Sequence, residues 1–220
     1  MKERSATVRR TARFFTLGDD ARPREVWFVC HGYRQLARTF LGYFTAIDAS
    51  HRLIVAPEGL SRFYVQGADD GDAKAVVGAS WMTREDRENE IEDYVAYLDT
   101  VHDKVFEAID RAAVRIVVLG FSQGAATVSR WVDRGKVLAD KLILWGGAMP
   151  SDIDWSAGAP IRGVALSLVA GSRDDYATPA AIAELEGRLR QHGLVYELVR
   201  FDGGHHLNQR VLQKLAGGGG

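Results

Sequence analysis

Six short apolar segments recur along the chain and predict β-strands. Successive positions in these segments are apolar instead of alternating with polar ones, which is typical of parallel strands that helices cover on both faces. Glycine or proline follows closely where most of these segments stop. The predicted strands are 25–30, 53–56, 115–119, 141–145, 164–169 and 196–201.

The stretches between the predicted strands carry apolar residues at helical spacing. In 84–112 the apolar positions recur every three or four residues and share one face, while acidic side chains fill the other face. A weakly alternating stretch at 6–17, rich in Thr, Val and Phe, predicts one or two edge strands. The predicted helices are 36–49, 84–112, 122–134, 179–192 and 207–215.

Strand and helix patterns alternate along the chain, and this alternation predicts the fold class. We predict a single α/β domain with a mostly parallel central sheet flanked by helices. At 220 residues it has little room for a large cap domain. The domain is expected to span 1–216, with its core at about 25–215. The glycines at 217–220 have no side chains to pack and are expected to form a tail.

Composition limits the classes of function. The 220 residues are 46% apolar and carry a net charge of −1 with both signs interspersed, which disfavours a dedicated nucleic-acid binder. No apolar run reaches the roughly 18 residues of a membrane span, and no apolar signal segment follows Met1, so a cytoplasmic protein is expected. Residues 1–24 hold seven basic and three acidic side chains, which we interpret as a solvated edge in preference to a binding patch. A lone cysteine, Cys30, excludes an intrachain disulfide and is expected to be a buried, inert thiol.

The strongest chemical signal is the pentapeptide Gly120-Phe121-Ser122-Gln123-Gly124. It follows a predicted strand and opens a predicted helix, which is the context that a Gly-x-Ser-x-Gly nucleophile turn requires. Such a turn is so tight that the residues two positions either side of the serine must lack side chains. The serine oxygen then projects above the sheet edge, where the helix N-terminus directs free N–H groups toward developing negative charge.

A serine nucleophile needs a base to take its proton, and a histidine base needs a carboxylate to orient it. In the chain order that accompanies this turn, both follow the serine. Asp174 and Asp175 come after the next-to-last predicted strand, and His205 and His206 come after the last one. Because the carboxyl ends of parallel strands meet at one sheet edge, these groups are expected to converge in one crevice. The spacing favours Asp174 without excluding Asp175, and it leaves both histidines open as the base.

These motifs, together with His31-Gly32-Tyr33, resemble the phospholipase/carboxylesterase family of α/β-hydrolases. The segments 56–59 and 79–82 are also similar to that family, and the likeness covers about residues 25–215. Members of the family are small serine hydrolases that act on carboxylic esters, lysophospholipids and acyl thioesters.

The resemblance implies a role for each residue of the site. Ser122 would be the nucleophile, Asp174 the acid and His205 the general base and then the general acid. The backbone amides of Tyr33 and Gln123 would form the oxyanion hole. Neither a metal nor an organic cofactor is implied, and the two adjacent histidines make a poor metal pair because neighbouring residues rarely converge on one ion.

Four further residues carry hypotheses about the surroundings of the site. Arg34 stands where relatives commonly have glycine, and a left-handed backbone there would strain an arginine. We hypothesise that Arg34 faces the mouth of the site and meets an anionic group of the substrate. Trp81 and Met82 either line an acyl pocket or pack in the core. His31 is expected to be a structural hydrogen-bonding residue.

The predicted activity is that of a carboxylesterase, and lysophospholipase activity is a further expectation. An acyl thioesterase is the alternative within the same chemistry, because nothing in the sequence separates sulfur from oxygen leaving groups. A hydrolase-fold binding protein without turnover is the alternative from another class; it is disfavoured because all three catalytic residue types occur in order. The expected partner is a small-molecule ester in an open cleft, and the sequence leaves monomer and homodimer open.

Overall fold

A seven-stranded sheet forms the centre of the molecule. The computed structural model describes residues 1–2, 4–18, 21–66 and 75–217. The strands in these ranges are β1 (Phe14–Gly18), β2 (Glu25–Cys30), β3 (Arg52–Pro57), β4 (Ser61–Gln66), β5 (Val76–Ser80), β6 (Arg115–Phe121), β7 (Lys141–Trp145), β8 (Ala165–Gly171) and β9 (Tyr196–Phe201). The main sheet has the order β1-β3-β2-β6-β7-β8-β9, in which β1 is antiparallel and all other neighbours are parallel. This order confirms the predicted mostly parallel α/β sheet and places β1 at its edge.

Helices follow the strands at most crossovers. The described residues form α1 (Ala37–Leu41), α2 (Arg87–Phe106), α3 (Gln123–Arg134), α4 (Pro179–Gln191) and α5 (Gln209–Gly217), with 3-10 helices at Gly42–Ile47, Arg111–Ala113 and Pro160–Gly163. The predicted helix 36–49 was wrong in its second half, because the stretch from Gly42 to Thr45 has low helix propensity and winds more tightly. The predicted helix 84–112 is shorter, and a separate turn near its end is capped by the Asp110 carboxylate on the Ala112 amide.

Helices cover both faces of the sheet, and this explains why the strands are apolar at successive positions. Along β2, Val26 and Phe28 pack in the layer that contains α2, α3 and α4. Trp27 and Val29 point to the opposite face and pack in the layer that contains α1 and α5. All four side chains are fully buried. A polar side chain at any of these positions would lose its water, so alternation with polar residues does not occur.

The hairpin of β4 and β5 is absent from the sequence-based prediction. Its two strands pair antiparallel with each other and stand apart from the main sheet. Backbone bonds join the hairpin to the segment after β2: the Arg34 amide donates to the Ala79 carbonyl at 2.9 Å, and the Ala79 amide donates to the Gln35 carbonyl at 3.1 Å. The strand at Ala79 is therefore stabilised by hydrogen bonds to a segment more than forty positions earlier in the sequence. Local β-propensity cannot predict a strand that depends on such distant contacts.

Some predicted features fall beyond the described ranges. Gly217 ends α5, while Gly218–Gly220 of the predicted tail lie outside the described residues, as do Glu3, Asp19 and Asp20 of the predicted basic edge. Of the helices in the described ranges, none combines the length and the apolarity needed to cross a membrane.

Candidate active site

The predicted catalytic residues follow three strands that end at the same edge of the sheet. Ser122 follows β6, Asp174 lies three residues after β8, and His205 lies four residues after β9. Backbone pairing continues beyond the strand ends, because the Ser122 amide donates to the Trp145 carbonyl and the Ser172 amide to the Phe201 carbonyl, each at 2.8 Å. The loops thus continue the geometry of the sheet.

The three side chains form one continuous hydrogen-bonded chain. The Nε2 of His205 lies 2.9 Å from the Oγ of Ser122. The Nδ1 of the same ring lies 3.0 and 2.9 Å from the two carboxylate oxygens of Asp174. The Asp174 side chain is 2% exposed, whereas that of His205 is 20% exposed. A buried carboxylate that orients a partly accessible imidazole next to a hydroxyl is the arrangement that activates serine as a nucleophile.

Hydrogen bonds hold Asp174 in its ionised form. The ionised carboxylate in turn determines which atoms donate and which accept in the hydrogen bonds from Ser122 through His205 to Asp174. Burial raises the pKa of this carboxyl, but hydrogen bonds from the Ala177 amide, the His205 ring and the Tyr176 amide outweigh burial and hold the pKa below its ordinary value. The two amides lie 2.9 Å from one carboxylate oxygen. An ionised carboxylate only accepts hydrogen bonds, so the Nδ1 of His205 donates and its Nε2 accepts. The Ser122 hydroxyl therefore donates to Nε2, as proton transfer from serine requires.

The structure distinguishes the two carboxylates and the two histidines that the spacing left open. Asp175 is exposed, and the His206 ring packs against Phe201 with ring centroids 5.5 Å apart. Within the described residues, Asp174 and His205 are the two of these four candidates that are hydrogen-bonded, directly or through the other, to Ser122.

Glycines allow the sharp turn at the nucleophile. Ser122 has φ 55° and ψ −117°, a backbone conformation that side chains disfavour. A Cβ at Gly120 would lie 2.2 Å from the carbonyl oxygen of Gly124, and a Cβ at Gly124 would lie 2.2 Å from the carbonyl oxygen of Cys30. Both contacts are with backbone atoms that cannot yield. They are the physical reason for the two glycines of the pentapeptide.

The segment after β2 lies against the nucleophile and offers the predicted oxyanion amides. A Cβ at Gly32 would lie 3.2 Å from the Cβ of Ser122. In the described ranges, neither the Tyr33 amide nor the Gln123 amide donates to another residue. Gln123 is also the first residue of α3, where the helix carries partial positive charge. Two free N–H groups beside the serine can stabilise an oxyanion.

His31 fixes this segment from the inside of the protein. Its ring is fully buried, and burial lowers its pKa, so it is neutral. The Nε2 accepts the Gly59 amide at 2.9 Å, which leaves the proton on Nδ1. Nδ1 then donates to the Gly32 carbonyl at 2.8 Å. This is the structural role that the sequence predicts for His31.

Trp81 packs in the core, which is one of the two placements that the sequence leaves open for it. It is 1% exposed, and its Nε1 donates to the His31 carbonyl at 2.8 Å. Met82 is half-buried, with its sulfur 3.6 Å from a guanidinium nitrogen of Arg130. The side chain of Gln123, whose role the sequence does not reveal, donates to the Met82 carbonyl at 2.8 Å and ties the nucleophile turn to this segment.

Two glycines after β7 complete the surroundings of the triad, and sequence reasoning missed them. A Cβ at Gly147 would lie 2.4 Å from the Ser122 carbonyl oxygen, and Gly146 lies against Asp174 and His205. An adjacent glycine pair directly after a strand of the same edge was the signal that could have found them.

Arg34 has a left-handed backbone conformation, which strains an arginine. Its φ is 68°, and its side chain is exposed.

Among the described residues, no group of three or more His, Cys, Asp or Glu side chains is placed to hold a metal ion.

Comparisons with known proteins give matches in structure. No protein-family model matches the sequence, and no curated protein matches it. A carboxylesterase from Mesorhizobium loti is 21% identical with a TM-score of 0.69, over 94% of this chain and 95% of that chain. Zea mays acyl-protein thioesterase 2 is 14% identical with a TM-score of 0.71, over 94% and 96%. The Bacillus cereus carboxylesterase is 16% identical with a TM-score of 0.67, over 93% and 92%.

At these identities the matches show the fold, and with the strand order above they define the chain as a protein of the α/β-hydrolase fold. It has the small form of that fold that these carboxylesterases and this thioesterase share along almost their whole length. The resemblance predicted from the sequence is confirmed at this level.

Proposed function

We propose that the protein is a serine hydrolase that cleaves carboxylic esters of small molecules through an acyl-enzyme on Ser122. The observation that carries this proposal is the 2.9 Å hydrogen bond from the Ser122 hydroxyl to His205, whose other nitrogen is held by buried, ionised Asp174. The names of two structural neighbours, both carboxylesterases, support carboxylic esters as the substrate class.

In the first half-reaction, the Nε2 of His205 takes the hydroxyl proton while the Ser122 oxygen attacks the ester carbonyl. The negative charge that develops on the carbonyl oxygen is stabilised by the amides of Tyr33 and Gln123, each worth roughly 3–4 kcal/mol in serine hydrolases. Asp174 stabilises the imidazolium cation. His205 then gives its proton to the departing alkoxide, and the alcohol leaves.

In the second half-reaction, water replaces the alcohol. His205 takes a proton from the water as its oxygen attacks the acyl-enzyme carbonyl, and the same two amides stabilise the second oxyanion. When the intermediate collapses, His205 returns the proton to the Ser122 oxygen. A carboxylic acid is released and the starting hydrogen-bonded chain is restored.

An acyl thioesterase is the second candidate. The likeness to Zea mays acyl-protein thioesterase 2 favours it, and a thiolate leaves without needing full protonation by the histidine. Lysophospholipase activity is a narrower form of the ester proposal. Comparing kcat/KM on oxygen esters and thioesters with the same acyl chain decides between the first two.

The test is covalent labelling with a fluorophosphonate probe combined with an ester panel. We expect the wild-type protein to be labelled and to hydrolyse esters, and Ser122→Ala to do neither while keeping its fold. His206→Gln is the matched control and should keep activity, because that ring packs on Phe201 outside the triad. A folded wild-type protein that stays unlabelled would favour a binding protein without turnover.

A further inference from the structure

We infer that Arg34 selects esters that carry a second, negatively charged group close to the scissile bond. This inference rests on the proposed hydrolase function and names its substrate class. Among the described residues, those other than glycine with positive φ are Arg34, Asp86 and Ser122. Two of these three strained positions therefore flank the same candidate site, one at the nucleophile and one next to the oxyanion amide of Tyr33.

The strain at Arg34 has no structural compensation from its own side chain. Glycine adopts a φ of 68° without cost, whereas an arginine is disfavoured there. The loop is held by its backbone: the Arg34 amide bonds to Ala79, and a Cβ at Gly78 would lie 2.5 Å from the Arg34 carbonyl oxygen. The guanidinium is exposed and forms no hydrogen bond or ion pair with a described residue. Strain that packing does not explain points to function.

Chain geometry keeps Arg34 near the reacting bond. Gly32 touches the nucleophile, since a Cβ there would lie 3.2 Å from the Cβ of Ser122. Two peptide units allow at most about 7.6 Å between the Cα atoms of Gly32 and Arg34. The backbone of Arg34 is therefore close to the serine, and its long, exposed side chain can bring the guanidinium to a substrate bound there.

The described segments that adjoin Arg34 carry more basic than acidic side chains. We define the oxyanion rim as residues 31–38, 58–63 and 75–82, whose cations are Arg34, Arg38 and Arg62. Its one carboxylate, Glu58, is buried and is bound to Arg62 at 3.2 Å and to Arg13 at 2.7 Å. Arg34 thus has no acidic partner within the rim. A guanidinium fork recognises the oxygens of a carboxylate or a phosphate, so either group is the chemistry expected on the substrate.

Two pairs of probes distinguish the sources of the negative charge. The carboxylate pair is 4-nitrophenyl hydrogen succinate and 4-nitrophenyl butyrate, which share leaving group and acyl length. The phosphate pair is a lysophosphatidate and the monoacylglycerol with the same acyl chain. The ratio of kcat/KM for the charged and the neutral member of each pair is measured for wild type, Arg34→Asn and Arg34→Lys.

Asparagine tolerates the left-handed backbone without the charge, and lysine keeps the charge. We expect Arg34→Asn to lower the charged-to-neutral ratio about fivefold or more in one pair, and Arg34→Lys to keep most of it. The wild-type ratio should fall with added salt, and that of Arg34→Asn should not. Arg24→Gln, which removes an exposed charge just before β2 at the opposite sheet edge, is the control and should keep the wild-type ratio.

Two failures are distinguishable. If Arg34→Asn is active and labelled by the fluorophosphonate probe but has the wild-type ratio in both pairs, the inference is overturned and the hydrolase proposal stands. If Arg24→Gln lowers the ratio as much as Arg34→Asn does, net charge and not Arg34 sets the preference, which also overturns it. If no variant and no wild-type protein is labelled at Ser122, the hydrolase proposal itself has failed.

Discussion

Gly146 lies so close to His205 that a methyl group on its Cα would be 3.2 Å from both Nδ1 and Cε1 of the ring. The same methyl group would be 3.2 Å from a carboxylate oxygen of Asp174, and the φ of Gly146 is +58°. The loop after β7 therefore packs directly against the hydrogen-bonded pair of Asp174 and His205, the proposed acid and base. A side chain at position 146 would crowd the Asp174 carboxylate and the His205 ring, and it would also strain the left-handed backbone.

Gly146→Ala should therefore impair both stability and turnover. We expect a loss of about 1–2 kcal/mol in the free energy of unfolding from the left-handed backbone. We also expect kcat to fall by roughly tenfold to a hundredfold, because a small shift of the His205 ring misplaces the proton acceptor. Urea unfolding and ester hydrolysis measure the two effects. Gly163→Ala is the matched control, because a Cβ at that position would meet open space. A wild-type kcat in Gly146→Ala would show that the loop after β7 does not hold the His205 ring in position.

The strained backbone of Ser122 predicts that two inactive variants differ in stability. Both Ser122→Gly and Ser122→Ala remove the nucleophile, but only glycine relieves a φ of 55° combined with a ψ of −117°. Ser122→Gly should therefore exceed Ser122→Ala in free energy of unfolding by about 1–2 kcal/mol. Urea titrations of the two variants provide the comparison. Equal stability would show that the turn stores no strain.

Asp174 and Asp175 form a natural pair for testing the acid. An asparagine at 174 can still accept the Tyr176 and Ala177 amides through its oxygen, so the loop is preserved. Its amide group would donate to the Nδ1 of His205 and place the ring proton on the nitrogen that faces Ser122. We expect kcat/KM to fall about 10³–10⁴-fold in Asp174→Asn. Asp175→Asn should be close to wild type in the same assay; a comparable loss there would reopen the choice of acid.

Features with a local cause could be predicted from the sequence. The strands that precede Ser122 and Asp174 are apolar because both of their faces are buried, so each appears in the sequence as a continuous apolar segment. The nucleophile turn was also readable, since backbone contacts at Gly120 and Gly124 force both residues to be glycine.

Features with a distant cause could not be predicted. The strand at Val76–Ser80 depends on pairing with β4 and on bonds to Arg34 and Gln35, none of which leaves a local pattern. The sequence leaves open whether Trp81 lines a pocket or packs in the core, and its burial and its bond to the His31 carbonyl are both made by residues distant in the chain. The choice between Asp174 and Asp175 likewise required the direction in which each side chain leaves the loop.

The buried ring of His31 predicts a specific dependence of stability on pH. In the folded protein burial lowers the pKa of His31, while in the unfolded chain the ring titrates near its ordinary value of about 6.5. Below that pH the unfolded chain binds a proton that the folded protein excludes, so the free energy of unfolding falls as the pH drops below about 6.5. Above about pH 7.5 both states are neutral at this residue, and it contributes no pH dependence.

His31→Gln isolates this contribution, because glutamine offers an acceptor for the Gly59 amide but does not titrate. The variant should be less stable than wild type at pH 8, since one side chain no longer satisfies both Gly59 and Gly32. Between pH 8 and pH 5.5 the variant should lose less free energy of unfolding than wild type does. The values that urea unfolding gives for the two proteins should therefore converge as the pH falls. Asp174, whose lowered pKa acts only at more acidic pH, does not interfere in this window. Parallel losses in the two proteins would mean that His31 binds its proton equally well in both states, and the neutral bridge between Gly32 and Gly59 would have to be abandoned.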